Sequence, residues 1–269
     1  MRFLKVSGVI LGALMVTALG IDATDTLSGS RSTLLGQLIS SGDQSVCPAG
    51  MVVVRNAERP FCIDRFEVSA ADTCPYPAPQ AGPETQANLA DDSCQPVVAA
   101  DTMPWRSVSQ AEAVQLCARV GKRLPSNLEW FQAVSGTGDV TKCVLDATAV
   151  TPTGSNDCAA PSGAHDLVGN VWEWVADTTV DGQYDSRALP QSGYVNAVDQ
   201  SGVALTTSDT PTADFGSDYV WIQASGTRAI MRGGFYGSGT DGGIYTLNAT
   251  TPTTFRTNAI GFRCAQTIL

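Results

Sequence analysis

The eight cysteines constrain the fold of this chain more than any other feature of its sequence. Their number is even and no CxxC pair occurs, so a disulfide framework is favoured over a zinc ribbon or a thioredoxin-type redox site. Spacing predicts the local pairs Cys47–Cys62, Cys74–Cys94 and Cys143–Cys158, which leaves Cys117 to pair with Cys264. That last bond would close a very long loop, for which chain entropy gives about 5 kcal/mol as an upper figure.

The N-terminus predicts export, which agrees with extensive disulfide bonding. Arg2 and Lys5 precede an apolar run that is shorter than the roughly 20 residues a membrane span needs. Residues 1–23 are therefore interpreted as a secretory signal peptide, cleaved after Gly20 or Ala23. An uncleaved N-terminal membrane anchor is the alternative.

Beyond this segment the chain divides into a tether and one large domain. Residues 24–45 are polar and rich in Ser and Gly, although four apolar residues among them could form a short helix. Residues 46–269 are long enough for one hydrophobic core. The net charge is −10 and no Lys/Arg-rich run occurs, so we expect no nucleic-acid partner and membrane contact only through the N-terminal segment.

Two capping boxes predict the helices of the domain. Ser109 with Glu112 begins a helix through Val120, and Ser126 with Glu129 begins a helix over residues 127–134. Gly121 ends the first of them.

Other stretches predict strands and loops. The runs MVVV and RPFC indicate a hairpin over residues 51–62. Residues 177–216 show little regular pattern and are interpreted as a long surface insertion.

Five sequence blocks together resemble one known family, the formylglycine-generating-enzyme/sulfatase-modifying domain. The resemblance implies an α+β, C-type-lectin-like single domain with two helices, short twisted sheets, many loops and disulfides. It also supports Cys117–Cys264, because the corresponding cysteines are paired in relatives. The blocks are CIDRFEVS (62–69), GKRLPSNLEW (121–130), HDLVGNVWEW (165–174), MRGGFY (231–236) and IGFRCA (260–265).

The catalytic groups of active relatives do not carry over. Relatives bind copper through two cysteines between the RGG and GFRC blocks, but no cysteine lies between Cys158 and Cys264. A second branch needs several histidines for iron, and His165 is the only histidine of the chain. A Ser-His-Asp arrangement around His165 is conceivable, yet a lone histidine in a structural block more often packs or caps. We therefore expect that the chain is not an enzyme and that it binds neither copper nor iron.

A structural calcium site is implied residue by residue. The family's motif matches the carboxylates of Asp166 and Glu173 and the carbonyls of Gly169 and Val171, a mixed oxygen set that Ca²⁺ accepts. The alternative is that the two acids only cap turns.

Residues 234–261, called the C-terminal segment below, have an unusual composition. Lys, Glu, Gln, Met and Trp are absent, and these five cannot be reached from the codon AAC by changing its first two bases. The pattern resembles the variable region of proteins diversified by diversity-generating retroelements. That resemblance implies a hypervariable surface on a rigid scaffold. The alternative is an ordinary Gly/Thr-rich loop.

The resulting hypothesis is a secreted or cell-surface binding protein that recognises a protein or another cell-surface ligand. Its alternatives are an enzyme of the same family with an unrecognised activity and a structural cell-envelope protein. The predicted ligand contacts are Phe235, Tyr236, Gly237, Ser238, Asp241, Tyr245, Ala249, Thr250, Thr254, Phe255, Arg256 and Ala259. Aromatic residues, Ser, Gly and Arg are effective contact residues in antibody loops.

Overall fold

The computed structural model describes residues 46–268. It separates two compact units, Met1–Ala49 and Gly50–Leu269, and the second is the domain discussed below. The predicted signal or anchor and the tether lie outside the described residues. Within residues 46–268, no helix is long and apolar enough to cross a membrane.

Three α-helices lie in the domain: α1 (Gly82–Ala90), α2 (Gln110–Arg119) and α3 (Asn127–Val134). Both predicted capping boxes are confirmed. Ser109 Oγ accepts from the Glu112 N–H at 3.3 Å and Glu112 Oε2 accepts from the Ser109 N–H at 2.9 Å. The same reciprocal pair joins Ser126 and Glu129.

Helix α1 was not predicted, so the expected number of two helices is wrong. Its N-cap is Ala81, which has no side-chain oxygen to mark a helix start. Instead, Glu84 Oε2 accepts the N–H groups of Gln80 and Ala81 at 2.6 and 3.2 Å.

The strands form three sheets. The predicted hairpin is confirmed, since β1 and β2 pair antiparallel and β14 pairs with β2. The short strands β3 and β4 pair with each other, and the other nine strands form one sheet in the order β7-β6-β5-β11-β12-β10-β8-β9, with β13 beside β5. The strands are β1 (Met51–Val54), β2 (Phe61–Asp64), β3 (Ser69–Ala70), β4 (Pro96–Val97), β5 (Trp172–Val180), β6 (Gln183–Tyr184), β7 (Arg187–Ala188), β8 (Gly193–Val198), β9 (Ala204–Ser208), β10 (Tyr219–Ile222), β11 (Thr227–Arg232), β12 (Leu247–Ala249), β13 (Ile260–Phe262) and β14 (Ala265–Thr267).

The large sheet is covered on both faces by apolar side chains. On β5, Val175 belongs to one core cluster, and Trp172 and Trp174 belong to the other. Ile230 and Met231 divide in the same way on β11. Alternate residues of one strand point to opposite faces, so β5 and β11 are central strands buried on both sides. Helix α3 contributes to the first cluster and helix α2 to the second.

Residues 177–216 are not the predicted surface insertion. They supply strands β6 to β9, and Val195, Val203 and Ala204 are buried in the first core cluster. Gly202 lies so close to the ring of Phe131 that an added Cβ would approach it to 2.2 Å. The prediction failed because Thr, Ser and Asp separate the buried apolar residues. The apolar-polar alternation that is typical of a strand is therefore not apparent in the sequence.

The predicted disulfide framework is present. Bonds join Cys74 to Cys94, Cys117 to Cys264 and Cys143 to Cys158, and no described cysteine is free. Cys47 and Cys62 are disulfide-bonded as well. Disulfides form and persist in oxidising compartments, and this pattern is therefore that of a protein that folds in one. Together with three helices and short twisted sheets, it defines an α+β domain of the C-type-lectin-like class.

Candidate functional site

The sequence blocks converge on one buried ion pair, Glu173 with Arg263. Arg263 Nε donates to both carboxylate oxygens at 2.8 Å, and Nη2 donates to Oε1 at 2.6 Å. Trp130 Nε1 donates to Glu173 Oε2 at 2.7 Å. All three side chains are 0% exposed, so this pairing is shielded from water.

Further hydrogen bonds extend this network to the remaining blocks. Arg263 donates to the carbonyls of Asp64 at 2.9 Å and His165 at 2.7 Å. The Asp64 carboxylate accepts from Lys122 Nζ at 2.6 Å and from the Cys264 N–H at 2.8 Å. Burial raises the pKa of Asp64, although Lys122 opposes the shift. The blocks therefore form one scaffold rather than separate sites.

The carboxylates of the predicted calcium site lie in or near this network, and each already has a partner within the protein. Arg263 already neutralises the Glu173 carboxylate, and Asp166 Oδ2 accepts from the Gly154 N–H at 2.6 Å. Within residues 46–268, no three His, Cys, Asp or Glu side chains could together hold a metal ion. The predicted site uses only two such side chains, plus the carbonyls of Gly169 and Val171, so calcium binding stays a prediction.

A fourth buried carboxyl, Glu67, lies close to the network. Its Oε2 accepts from Asn170 Nδ2 at 2.8 Å, whereas Oε1 has no partner. Burial raises the pKa of Glu67 well above its usual range, and the charges of Asp166 and Glu173 raise it further. Burial and the neighbouring carboxylates therefore disfavour the charged form of Glu67.

The single histidine packs against an aromatic ring. The imidazole of His165 lies 5.2 Å from the ring of Phe66, and its buried Nδ1 has no hydrogen-bond partner. Its main chain joins the network through the bond from Arg263. This is the structural role that a lone histidine in such a block predicts.

Arg232 attaches the C-terminal segment to the scaffold through hydrogen bonds. Its guanidinium is 0% exposed, lies 5.1 Å above the Trp130 ring, and donates to the carbonyls of Ile244 and Tyr245, both at 3.2 Å. A third bond reaches the Gly202 carbonyl at 3.3 Å. Because all three acceptors are main-chain atoms, Arg232 fixes the path of the segment without depending on its side chains.

The carboxyl group of Asp218 also holds this part of the segment. Its Oδ2 accepts from the Tyr245 N–H at 2.6 Å, and an added Cβ at Gly243 would lie 2.0 Å from Oδ1. Burial raises the pKa of Asp218 to about 7, although the Tyr245 N–H and the charge of Arg232 oppose this. Only glycine fits at position 243 beside this carboxyl.

Main-chain bonds also hold the start of the segment. The Tyr236 N–H donates to the Asn170 carbonyl at 2.9 Å, and the Tyr236 carbonyl accepts from the Ala147 N–H at 2.7 Å. The Gly239 N–H donates to the Leu145 carbonyl at 2.7 Å. The segment thus rests on the HDLVGNVWEW block and on the loop closed by Cys143–Cys158.

The predicted ligand contacts differ in exposure. Gly237, Thr254 and Phe255 are exposed, and Phe255 shows 40% of its surface. Half-buried are Phe235, Tyr236, Ser238, Asp241, Tyr245, Thr250, Arg256 and Ala259. Arg232, Ile260, Phe262 and Cys264, which lie at or next to the ends of the segment, are all buried.

One predicted contact is wrong and several have structural partners. Ala249 is 0% exposed, because strand alternation points it and Leu247 into the core while Asn248 faces outwards. Tyr245 packs on the rings of Phe131 and Phe215. These contacts could not be predicted because they depend on strand register.

Three of the half-buried contacts are also engaged with the protein. Arg256 pairs with Glu112 at 3.2 Å, and Ser238 Oγ accepts from the Phe235 N–H at 2.9 Å. Phe235 packs against the second core cluster. Phe235, Ser238 and Arg256 therefore each have a structural contact within the protein.

A row of aromatic rings beside the segment was not predicted. Tyr194 contacts Tyr219, Tyr219 contacts Trp221, and Trp221 contacts Trp172, with centroids 5.0, 4.7 and 5.8 Å apart. Trp221 pairs with Asn248 of the segment across β10 and β12. The apolar Val220 between Tyr219 and Trp221 is the sequence signal that could have indicated an outward-facing aromatic pair.

The chain belongs to the sulfatase-modifying factor enzyme 1-like domain family, whose family model matches residues 36–159 and 145–268. A curated relative is inactive Cα-formylglycine-generating enzyme 2 of Bos taurus, 30% identical over 142 residues. That match covers 43% of this chain and 47% of the relative, so the chain aligns with about half of the relative's length.

Solved structures give weaker likenesses at low identity. The U1 variant of Major Tropism Determinant is 17% identical with a TM-score of 0.45, covering 83% of this chain and 54% of that chain. Variable protein 1 of Treponema denticola is 14% identical with a TM-score of 0.43, covering 82% of this chain and 100% of that chain.

Proposed function

We propose that the chain is an exported, non-catalytic binding protein whose C-terminal segment is its ligand-contact surface. The observation that carries this proposal is the way the segment is attached. Arg232, Asp218, Asn170 and the Cys143–Cys158 loop all hold main-chain atoms of the segment. Such an attachment tolerates changes of side chain at the surface while keeping the loop path constant.

The exposed side chains of the segment suit binding. Phe255 is exposed and Tyr236 is half-buried, and both are aromatic residues of the kind that dominate binding energies at interfaces. The aromatic row from Tyr194 to Trp172, in which Tyr194, Tyr219 and Trp221 are half-buried, lies beside strand β12 of the segment. We propose a protein or another cell-surface molecule as the ligand.

The non-catalytic part of the proposal rests on the sequence. No cysteine stands between Cys158 and Cys264, where active relatives hold copper, and the chain has one histidine. A curated relative that is 30% identical over 142 residues is itself named inactive. Protein loaded with copper should leave a cysteine-containing sulfatase peptide unconverted to formylglycine, and turnover would contradict the proposal.

A library experiment tests the surface assignment. Positions 236, 241, 254 and 255 are randomised together with the codon NNC, and a second library randomises 230, 247, 260 and 262 as the matched control. Most members of the first library should fold with protease resistance like that of the parent chain, whereas most of the second should not. Equal losses in both libraries would show that the segment is ordinary core.

Sequencing the DNA around the gene tests whether the segment is diversified. A reverse transcriptase gene and a near-copy of the 3′ end, with adenines at the variable positions, are expected. Without both, the segment is a fixed binding surface and the retroelement hypothesis is wrong.

A further inference from the structure

Arg106 is a buried cation without a partner. Arg106 is 5% exposed, and its buried Nε has no hydrogen-bond partner. Among the ion pairs of residues 46–268, none includes Arg106. By contrast, the other two deeply buried arginines, Arg232 and Arg263, each donate at least three hydrogen bonds.

The main chain around Arg106 is fixed on both sides. Thr85 Oγ1 donates to the Arg106 carbonyl and accepts from Trp105 Nε1, each at 3.1 Å. Ser107 Oγ donates to the Gln80 carbonyl at 2.6 Å, and the Ser107 N–H donates to the Thr257 carbonyl of the C-terminal segment at 3.2 Å. The base of the Arg106 side chain is therefore held in place beside the segment.

Two neighbours define the electrostatic surroundings. Burial lowers the pKa of Arg106, while Tyr236 and Glu84 oppose the shift. Glu84 is already used, because its carboxylate caps helix α1 through the N–H groups of Gln80 and Ala81. Tyr236 belongs to the C-terminal segment, and its ring contacts that of Phe235 at 5.1 Å. The guanidinium of Arg106 thus lies within electrostatic reach of Tyr236 of the proposed ligand surface, and Tyr236 in turn contacts Phe235.

Burying a charged group without a full set of partners is unfavourable, and such groups occur at sites where a ligand provides the partner. We propose that Arg106 is the anion-recognition residue of the ligand surface and that it takes a carboxylate group of the ligand, with Tyr236 and Phe235 contacting the adjoining apolar part. This inference rests on the proposed function, since it names the chemistry that the same surface recognises.

The charges favour a carboxylate over a phosphate or sulfate. A guanidinium presents two parallel N–H donors that match a planar carboxylate. Only one unpaired cation is present at this place among the described residues, with Glu84 nearby, and the chain carries a net charge of −10. A dianion would need more positive charge than this site offers. An acidic side chain of a protein ligand and a uronic acid of a glycan carry the same group.

Arginine Nε–H signals in ¹H–¹⁵N NMR spectra of the full chain test the anion site directly. The Arg106 signal is identified by its loss in Arg106→Gln. Sodium acetate, at constant ionic strength against sodium chloride, should shift this signal in a saturable way, and sulfate or phosphate should bind at least threefold more weakly. Arg228→Gln is the control, because Arg228 Nε donates to the Ser225 carbonyl at an exposed position at 2.9 Å. A signal that acetate does not move, or that phosphate moves more strongly, overturns the inference.

Peptide selection separates this inference from the proposed function. Display libraries selected on the parent chain should be enriched in Asp or Glu next to an aromatic residue, and binding of selected peptides should fall at least tenfold in Arg106→Gln but not in Arg228→Gln. Selected peptides without acidic residues would overturn the inference and leave the proposed function intact. If no peptide binds but sodium glucuronate competes with acetate, the carboxylate comes from a glycan and the protein-ligand part of the proposed function fails. Near-ultraviolet circular dichroism checks that Arg106→Gln is folded, as removal of an unpaired buried charge leads us to expect.

Discussion

The scaffold network and the C-terminal segment lie side by side on strands β5, β11 and β12, yet they are held by different kinds of contact. At the centre of the network, side chains bind side chains: Arg263, Glu173 and Trp130 are all 0% exposed, and Glu173 accepts hydrogen bonds from both of the others. In the segment, scaffold side chains bind main-chain atoms, as Arg232 does at Ile244 and Tyr245.

This difference predicts which residues can change. A side chain that bonds to another side chain cannot be replaced without leaving a buried polar group unpaired, which costs about 1–3 kcal/mol or more. A residue that is held only through its N–H and C=O can change its side chain freely, provided the new one fits. The comparison therefore divides the domain into an invariant part and a replaceable part without reference to other sequences.

The largest effect is expected in the network. Arg263→Met should lower the free energy of unfolding by about 3–5 kcal/mol, because it leaves the buried Glu173 carboxylate without its cation. Urea unfolding followed by fluorescence measures the change. The double variant with Glu173→Gln should recover part of the loss. If Arg263→Met costs less than about 1 kcal/mol, the ion pair is not what holds the blocks together.

A smaller loss is expected where the scaffold crowds the main chain of the segment. Gly243→Ala should cost about 1–3 kcal/mol, because the new methyl group would approach the Asp218 carboxylate to 2.0 Å. Gly239→Ala is the control for the segment, since nothing lies within 4 Å of its added Cβ, although its φ of +57° adds strain of its own. Equal stability of the Gly243→Ala and parent chains in urea would show that the Asp218 attachment is loose.

The Asp218 attachment should also depend on pH. Its folded-state pKa of about 7 lies above the ordinary 3.8, so the folded chain binds this proton more tightly than the unfolded chain. Stability from this group is greatest below pH 3.8 and is lost as pH rises towards 7, by up to about 1.4 kcal/mol per pH unit.

Asp218→Asn removes this titration and should flatten the fall in stability between pH 4 and 7 relative to the parent chain. Urea midpoints at each pH give the difference between the two proteins. An unchanged pH dependence in Asp218→Asn would mean that the carboxyl titrates in the ordinary range and does not hold the segment as described.

Sequence reasoning predicted the parts of the fold that have local signals. Each capping box, at Ser109 and at Ser126, is contained in four consecutive residues and marks the start of a helix. The spacing of the cysteines predicted the disulfide partners. Helix α1 was not predicted because its N-cap, Ala81, has no side-chain oxygen. Glu84, inside the helix, accepts the hydrogen bonds of the free N–H groups instead.

The site was predicted less completely, because exposure depends on register. Whether Ala249 faces the core or solvent is decided by its pairing with Ile222 across β10 and β12, which no nearby residue indicates. The isolation of Arg106 could not be predicted either, since a missing partner is visible only when all neighbours are known. The sequence motifs predicted where the segment lies in the chain, but they did not predict the role of each of its side chains.

The smallest effect is expected at an exposed aromatic position of the segment. Phe255→Ala should change the free energy of unfolding by less than about 1 kcal/mol, because Phe255 is 40% exposed and outside both core clusters. Phe262→Ala is the matched control: the same side chain is 0% exposed in the second core cluster, and its loss should cost about 3–5 kcal/mol. Both variants are measured by urea unfolding at one pH. A cost at Phe255 similar to that at Phe262 would mean that the segment is packed as core, and the surface proposed for ligand binding would lose its physical basis.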